Sequence, residues 1–205
     1  MRILGVDPGS IRTGYGCIET DGSRHRVVAC GVLAPAARAS FPEKLLAIRD
    51  GLASMIAGHR PDVVAIEDLF YARNARSALK LGHVRGVVML AASEAGLPVS
   101  EFTPAEVKRA VVGYGRADKP QVRQMVMLLL GLSEPPSPLD VSDALAVAVC
   151  HAHVSGSAAV RTAAAAAGSA AVTRGGAEGK AGGAGTAGAA PRSWRRFRPP
   201  ARSPS

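Results

Sequence analysis

The sequence has few aromatic residues, few cysteines and no long apolar run. Aromatic side chains make up 4% of the 205 residues, and Cys17, Cys30 and Cys150 stand apart without CxxC spacing. An odd number of isolated cysteines excludes a disulfide scaffold or zinc ribbon and favours reduced thiols in a cytosol. The first apolar run ends at Asp7, which excludes a signal peptide, and Arg161 interrupts the Ala-rich stretch before it reaches a membrane-spanning length. We therefore expect a soluble, cytoplasmic protein.

Acidic residues are scarce, and the net charge is distributed unevenly. The chain has 25 Lys plus Arg against 16 Asp plus Glu, a net charge of +9, which is typical of a protein with a nucleic-acid partner. Residues 156–205 hold 8 basic residues and 1 acidic residue, so this Ala- and Gly-rich segment carries +7. It has too few bulky apolar side chains to offset the cost of ordering. We predict a folded domain over residues 1–155 and a disordered basic tail over residues 156–205.

Short apolar runs followed by alternating elements predict an α/β fold with a mixed five-stranded sheet flanked by helices. The predicted strands cover residues 2–7, 14–19, 27–33, 63–67 and 99–102, and the first three are expected to be antiparallel neighbours. A helix opened by Pro42 should bury a face that includes Leu46, and a long helix follows Ala75. A capping box is expected at Thr103 and Glu106, and the last helix should end near Val154.

Acidic side chains occur where catalytic groups usually lie in such folds. Asp7 ends the first predicted strand and Glu67 ends the fourth, while Asp140 and Asp143 are three residues apart at the start of the last helix. If the two strands are neighbours, Asp7 and Glu67 emerge at one edge of the sheet. Each acid also has an ordinary explanation, because Asp-Pro-Gly is a common turn and aspartates favour helix N-termini. Their combination favours a site.

Converging carboxylates would need a cation. Two carboxylates about 4 Å apart repel by about 4 kcal/mol at an effective dielectric near 20. Hard oxygen ligands without Cys or His point to Mg²⁺ or Mn²⁺. Two such ions about 3.5–4 Å apart can activate water and stabilise the leaving oxygen of a phosphodiester. The sequence therefore predicts a nuclease, provided that the four acidic groups converge.

A polar segment after Glu67, DLFYARNARSALK, combines aromatic and basic residues. Phe70 is suited to stacking on a base, and Arg73, Arg76 and Lys80 are suited to contacting phosphates. The alternative is that Phe70 packs on the core. The segment is therefore a hypothetical nucleic-acid surface.

Two lysines, Lys108 and Lys119, flank the glycine-bearing loop VVGYGRADK, where bare backbone could approach a phosphate. The alternative is a pair of solvated surface lysines. No GxSxG, P-loop or nucleophile triad occurs in the chain, so hydrolysis through a covalent serine or nucleotide binding by a P-loop is not indicated.

Four segments over residues 1–155 together resemble the RuvC-type Holliday junction resolvase family. They are GVDPGSIRTGYG, VAIEDLFYARNARSALKLGHVRG, VKRAVVGYGRADKPQV and DVSDALAVAVCHAHV, in that order. The resemblance implies an RNase H-like fold, a homodimer, and a Mg²⁺-dependent endonuclease that cuts four-way DNA junctions symmetrically. It also implies RuvA and RuvB branch-migration proteins as partners, and nucleoid association would follow from DNA repair work.

The resemblance also assigns roles to individual residues. Asp7, Glu67, Asp140 and Asp143 match the metal-binding carboxylates of the family, Phe70 its junction-contacting aromatic residue, and Lys108 and Lys119 lysines tied to DNA contact and catalysis. Some members carry His in place of Asp140. A dimer has a physical rationale of its own, because two symmetric sites suit a two-fold junction. Its candidate interface is the apolar stripe of the long helix: Leu79, Val84, Val87, Val88, Leu90 and Ala91.

Two alternatives stay open. The same fold and acids can serve a nuclease that processes structured RNA, and a non-catalytic protein can bind junctions without cutting them. All four acids are present, although a pure binder would gain from losing negative charge near phosphate, so the sequence favours the enzyme. An actin-like ATPase is disfavoured, because the second glycine-rich phosphate loop is missing. The basic tail is expected to add nonspecific DNA affinity or to tether a partner.

Overall fold

A computed structural model of the chain describes residues 1–68 and 75–172, with side chains described up to residue 156. Met1–Ala165 forms one compact unit, and beyond it the model describes helical backbone to Val172. The strands are β1 (Arg2–Asp7), β2 (Thr13–Thr20), β3 (His25–Leu33), β4 (Val63–Glu67) and β5 (Val99–Phe102). The helices are α1 (Phe41–His59), α2 (Ala75–Glu94), α3 (Pro104–Val112), α4 (Lys119–Leu129) and α5 (Leu139–Val172).

The five strands form one mixed sheet in the order β3-β2-β1-β4-β5. The pairs β1–β2 and β2–β3 are antiparallel, whereas β1–β4 and β4–β5 are parallel. This confirms the predicted fold class and the expected antiparallel arrangement of the first three strands. β1 is the central strand, with β4 beside it.

Alternating residues of the central strands face two separate cores. Ile3 and Ala65 pack with apolar residues of α3, α4 and α5. Leu4 and Ile66 pack with apolar residues of α1 and α2. Because side chains alternate along a strand, the helices form two layers, α1–α2 on one face and α3–α5 on the other.

Local signals set the starts of several helices. The predicted capping box at α3 is confirmed: the Thr103 backbone N–H donates to Glu106 Oε2 at 2.8 Å, and the Glu106 N–H donates to Thr103 Oγ1 at 3.3 Å. At α4, the Gln121 N–H donates to Asp118 Oδ1 at 2.8 Å. These bonds satisfy N–H groups that have no partner within the first helical turn.

Two expectations about helices were wrong. The last helix does not end near Val154 but continues to Val172, because its Ala-rich extension has the highest intrinsic helix propensity. Leu46 is 60% exposed, so it does not share the buried face of α1 formed by Ile48 and Leu52. The predicted boundary between a domain at 1–155 and a tail at 156–205 stays a prediction.

The apolar stripe of α2 divides between two environments. Val84, Val88 and Ala91 belong to the core, whereas Leu79 is 65% and Leu90 53% exposed. Three of the six residues of the proposed interface stripe are therefore ordinary core, Val87 is half-buried, and Leu79 and Leu90 form an open apolar face. None of the helices in the described part of the chain combines the length and the hydropathy needed to cross a bilayer.

Candidate active site

Asp7 and Glu67 lie side by side at the ends of two neighbouring parallel strands. The β1–β4 register pairs Val6 with Ile66, and each acid is the next residue along its strand. Side chains alternate, so Asp7 shares the face of Gly5, and Glu67 shares the face of Ala65. That face carries the α3–α5 layer. The expected neighbourhood of the two strands is confirmed, and both carboxylates are directed toward α5.

Two glycines allow the start of α5 to lie directly on the sheet. A Cβ placed on Gly5 would lie 2.1 Å from the Ala144 carbonyl oxygen, and one on Gly14 would lie 2.0 Å from the Asp140 carbonyl oxygen. Gly14 is also the β2 partner of Asp7 in the antiparallel ladder. Bare backbone at these positions therefore brings the first turn of α5, with its aspartates, up to Asp7. The sequence interpretation missed this role, although the repeated glycines in TGYG were a signal of close backbone approach.

The four carboxylates interact strongly at this point of the fold. Burial raises the pKa of Asp7 to about 8, and the negative charges of Asp143, Glu67 and Asp140 add to that rise in the pKa. Burial followed by the charge of Asp143 raises the pKa of Glu67 to about 7. The charges of the other three predicted acids thus all act on Asp7, while their joint role as metal ligands stays a prediction.

Lys119 supplies a positive charge inside this cluster. It is the first residue of α4, and its Nζ donates a hydrogen bond to Asp143 Oδ2 at 2.8 Å. This bond raises the pKa of Lys119, and the charges of Asp143, Asp7 and Glu67 contribute in the same direction to its pKa. Lys108 lies close enough for its charge to lower the pKa of Glu67. The two predicted lysines thus lie at the carboxylates.

The donor set fits a hard divalent cation. Among the described residues, no group of three or more His, Cys, Asp or Glu side chains is arranged so that it could hold a metal ion by itself. Mg²⁺ does not require such a group, since it is usually held by one or two carboxylates together with waters and substrate phosphates. Burial is the largest cause of the raised pKa values of Asp7 and Glu67, and neighbouring negative charge, which a divalent cation would offset, adds to the rise. The ammonium of Lys119 partly fills that role at Asp143.

The structure describes only some of the residues that the sequence predicts to contact DNA. Arg76 and Lys80 are exposed on the first turns of α2, and Lys80 Nζ lies 5.8 Å from the ring centroid of Phe41 in α1. No described contact joins these two to the carboxylates. Phe70 and Arg73 lie outside the described residues, so their roles stay predictions.

Comparisons with known proteins agree with this geometry. The family model described as crossover junction endodeoxyribonuclease RuvC matches residues 3–151. The RuvC of Syntrophotalea carbinolica is 57% identical over 153 residues, covering 75% of this chain and 94% of the relative. That of Koribacter versatilis is 53% identical over 156 residues, covering 76% and 94%.

Solved structures show the same similarity. Thermus thermophilus RuvC superposes with a TM-score of 0.71 at 35% identity, covering 76% of this chain and 95% of that one. The same protein in complex with a Holliday junction substrate gives a TM-score of 0.74 at 34% identity, covering 77% and 96%. The predicted RNase H-like class is therefore confirmed, and the chain belongs to the RuvC family of crossover junction endodeoxyribonucleases.

Proposed function

We propose that this chain resolves four-way DNA junctions by divalent-metal-dependent hydrolysis of one phosphodiester per subunit, with Asp7, Glu67, Asp140 and Asp143 as the metal ligands. The observation that carries the proposal is the meeting of charges around a buried acid: Lys119 bonds to Asp143 at 2.8 Å, and the charges of Asp143, Glu67 and Asp140 add to the rise in the pKa of Asp7 that burial causes. Family membership supports the reaction class, and the contact between Lys119 and Asp143 supports the choice of residues.

The four carboxylates reach the proposed metal site from two kinds of element. Asp7 and Glu67 project from rigid central strands, so their oxygens are fixed, whereas Asp140 and Asp143 approach from the helix start. When bound, Mg²⁺ or Mn²⁺ at two positions supplies activation of water and stabilisation of the leaving oxygen.

Lys119 is free to exchange partners. Its side chain is 65% exposed, and its one described contact is with Asp143. With Asp143 engaged by a cation, the ammonium of Lys119 would be free to turn to the phosphate that undergoes cleavage and would offset its developing charge. Lys108, whose charge lowers the pKa of Glu67, would hold the neighbouring phosphate.

Junction recognition is proposed to use the segment after Glu67. Phe70 would stack on a base at the crossover, and Arg73, Arg76 and Lys80 would contact phosphates. Exposure of Arg76 and Lys80 at the start of α2 supports this assignment. So does the solved complex of Thermus thermophilus RuvC with a Holliday junction substrate.

A homodimer is proposed to form through the open face of α1 and α2. An apolar groove there is lined by Leu45, Ala75, Ala78, Leu79, Gly82, His83, Gly86, Val87 and Leu90. Its rim includes side chains more than half exposed, a costly arrangement for a monomer in water. A two-fold pair joined there would present two identical sites to a two-fold junction and make paired symmetric cuts. We also propose that this chain acts together with RuvA and RuvB and that it associates with the nucleoid.

A labelled synthetic junction tests the proposal. Incubation with Mg²⁺ should give two symmetric nicks, and EDTA should prevent them. Asp7→Asn should abolish cleavage while junction binding stays within about threefold, since the substitution removes one negative charge and no cationic group that contacts phosphate. Asp50→Asn, a surface acid paired with Arg49, is the matched control and should cut normally. Cleavage by Asp7→Asn would refute the proposed site.

The same assay separates the alternatives. Preference for structured RNA over junction DNA would favour an RNA-processing nuclease of the same fold. Tight junction binding without Mg²⁺-dependent cleavage would favour a non-catalytic binder.

A further inference from the structure

Arg85 of α2 joins the ends of two neighbouring strands. Its Nη1 donates to Asp68 Oδ1 at 2.6 Å, and its Nη2 donates to Glu101 Oε2 at 2.5 Å. The side chains of Arg85 and Asp68 are only 18% and 21% exposed. Arg85 Nε is buried and finds no acceptor among the described residues, so these two carboxylates hold the guanidinium. Neither Arg85 nor Asp68 belongs to the carboxylate cluster.

Asp68 is nevertheless linked directly to that cluster through the backbone. It follows Glu67, and its N–H donates to the Phe102 carbonyl oxygen at 2.7 Å, one residue beyond the last β4–β5 pair. Because side chains alternate, Asp68 faces α2 while Glu67 faces α5. Arg85 therefore fixes, from the opposite face of the sheet, the short stretch of backbone that carries Glu67.

We propose that Arg85 is a positioning residue that holds the Glu67 carboxylate in place for cation binding. The inference rests on the proposed function, because it takes Glu67 to be a metal ligand. A planar guanidinium can bond two carboxylates at once in a fixed geometry, which an ammonium cannot do. Metal sites depend on such supporting contacts, whose loss typically weakens metal affinity by about 10–100-fold.

The test separates positioning from simple charge compensation. Arg85→Met keeps an apolar stem but leaves Asp68 unpaired, so it should lower both the melting temperature and the affinity for Mn²⁺. The double variant Arg85→Met/Asp68→Asn removes the charges of the buried pair, and the Glu101 side chain, which is 40% exposed, is left to water. This variant should recover most of the melting temperature, yet still bind Mn²⁺ about tenfold more weakly than the wild type. Affinity is measured on the full chain without DNA, by the electron paramagnetic resonance signal of free Mn²⁺.

Arg49→Met is the matched control. Arg49 also bonds two carboxylates, Asp50 at 3.1 Å and Glu94 at 2.7 Å, but it lies on the surface between α1 and α2. The Arg49→Met variant should therefore bind Mn²⁺ with the affinity of the wild type. Arg85→Lys, which keeps the charge, should recover stability better than affinity.

Two results would overturn the assignment. One is unchanged Mn²⁺ affinity in Arg85→Met, and the other is a double variant that recovers affinity together with stability. Should the single variant fail to fold, the double variant decides alone. A wild-type chain that does not cut a junction in Mg²⁺ would instead refute the proposed function, so the two failures are distinguishable.

Discussion

Asp7 lies opposite Gly14 in the β1–β2 ladder, and the backbone of Asp140 covers that glycine directly. A Cβ on Gly14 would be 2.0 Å from the Asp140 carbonyl oxygen, a distance that no side chain can occupy. The smallest side chain at this position must therefore displace the start of α5. The glycine and the two acids form one packed unit.

Gly14→Ala should consequently separate Asp140 from Asp7. We expect cleavage to fall by at least about 100-fold, since metal-dependent catalysis needs closely placed ligands, and the melting temperature to fall by several degrees. Gly58→Ala is the control, because nothing lies within 4 Å of a Cβ there in α1. Near-normal cleavage by Gly14→Ala would contradict this prediction, because it would show that the start of α5 can move away from β2 while the protein still cleaves.

Asp7→Asn should stabilise the metal-free protein in a pH-dependent way. In the folded protein the pKa of Asp7 is about 8, against 3.8 ordinarily, so from about pH 4 to pH 8 the folded state holds a proton that the unfolded state releases. Stability contributed by this group therefore falls as pH rises through that window. In EDTA, the variant should melt roughly 3 °C or more above the wild type at pH 8, about 1 kcal/mol.

The stabilisation should be smaller at pH 5, where Asp7 is protonated in the folded wild type. Melting curves in EDTA at both values give the comparison. Equal gains at pH 5 and pH 8 would contradict the raised pKa as the cause.

Lys119→Met should weaken catalysis and shift the pH dependence of metal binding upward. The charge of Lys119 lowers the pKa of both Asp7 and Glu67, so its loss leaves these carboxyls protonated to higher pH. Cleavage should fall by about 10–100-fold. Mn²⁺ titrations over a pH series measure the shift.

Two lysine variants serve as controls for this prediction. Lys119→Arg, which keeps the charge, should retain the pH dependence. Lys44→Met should change neither property, because Lys44 bonds to the Ala37 carbonyl oxygen near the start of α1. An unshifted pH profile in Lys119→Met would show that its ammonium does not act on the cluster.

Leu79→Glu should dissociate the proposed dimer. The side chain is 65% exposed in the apolar groove, so a charge there should block association without disturbing the core. Light scattering after size-exclusion chromatography should give about half the wild-type mass. Leu128→Glu is the control, since Leu128 is 61% exposed on α4, outside the groove. A wild-type chain that is already monomeric would contradict the dimer.

Local patterns were sufficient to predict the strands, the α3 capping box and the positions of Asp7 and Glu67 at strand ends. Asp7 and Glu67 end apolar runs, and Thr103 and Glu106 have cap spacing, so each signal lies within a few residues. The predicted end of α5 was wrong. The Ala- and Gly-rich composition after residue 155 was taken to prevent an ordered structure, although Ala-rich backbone readily forms helix.

Long-range contacts could not be predicted in the same way. The approach of α5 depends on Gly5 and Gly14, which touch residues more than 120 positions away in the sequence. The pair of Arg85 and Asp68 is 17 residues apart and joins a helix to a strand end. Such contacts follow from the packing of layers, which periodicity along the chain does not record.

The alternation along β4 has a consequence for how this protein can change. Neighbouring residues at the end of this strand lie on opposite faces of the sheet. Glu67 faces α5 and the other acids, whereas Asp68 faces the α1–α2 layer, which carries the open apolar face. Substitutions confined to one side can therefore alter assembly and leave cleavage intact, or the reverse. A one-residue insertion in β4 has no such freedom, because it would exchange the two sides and turn Glu67 away from its partners.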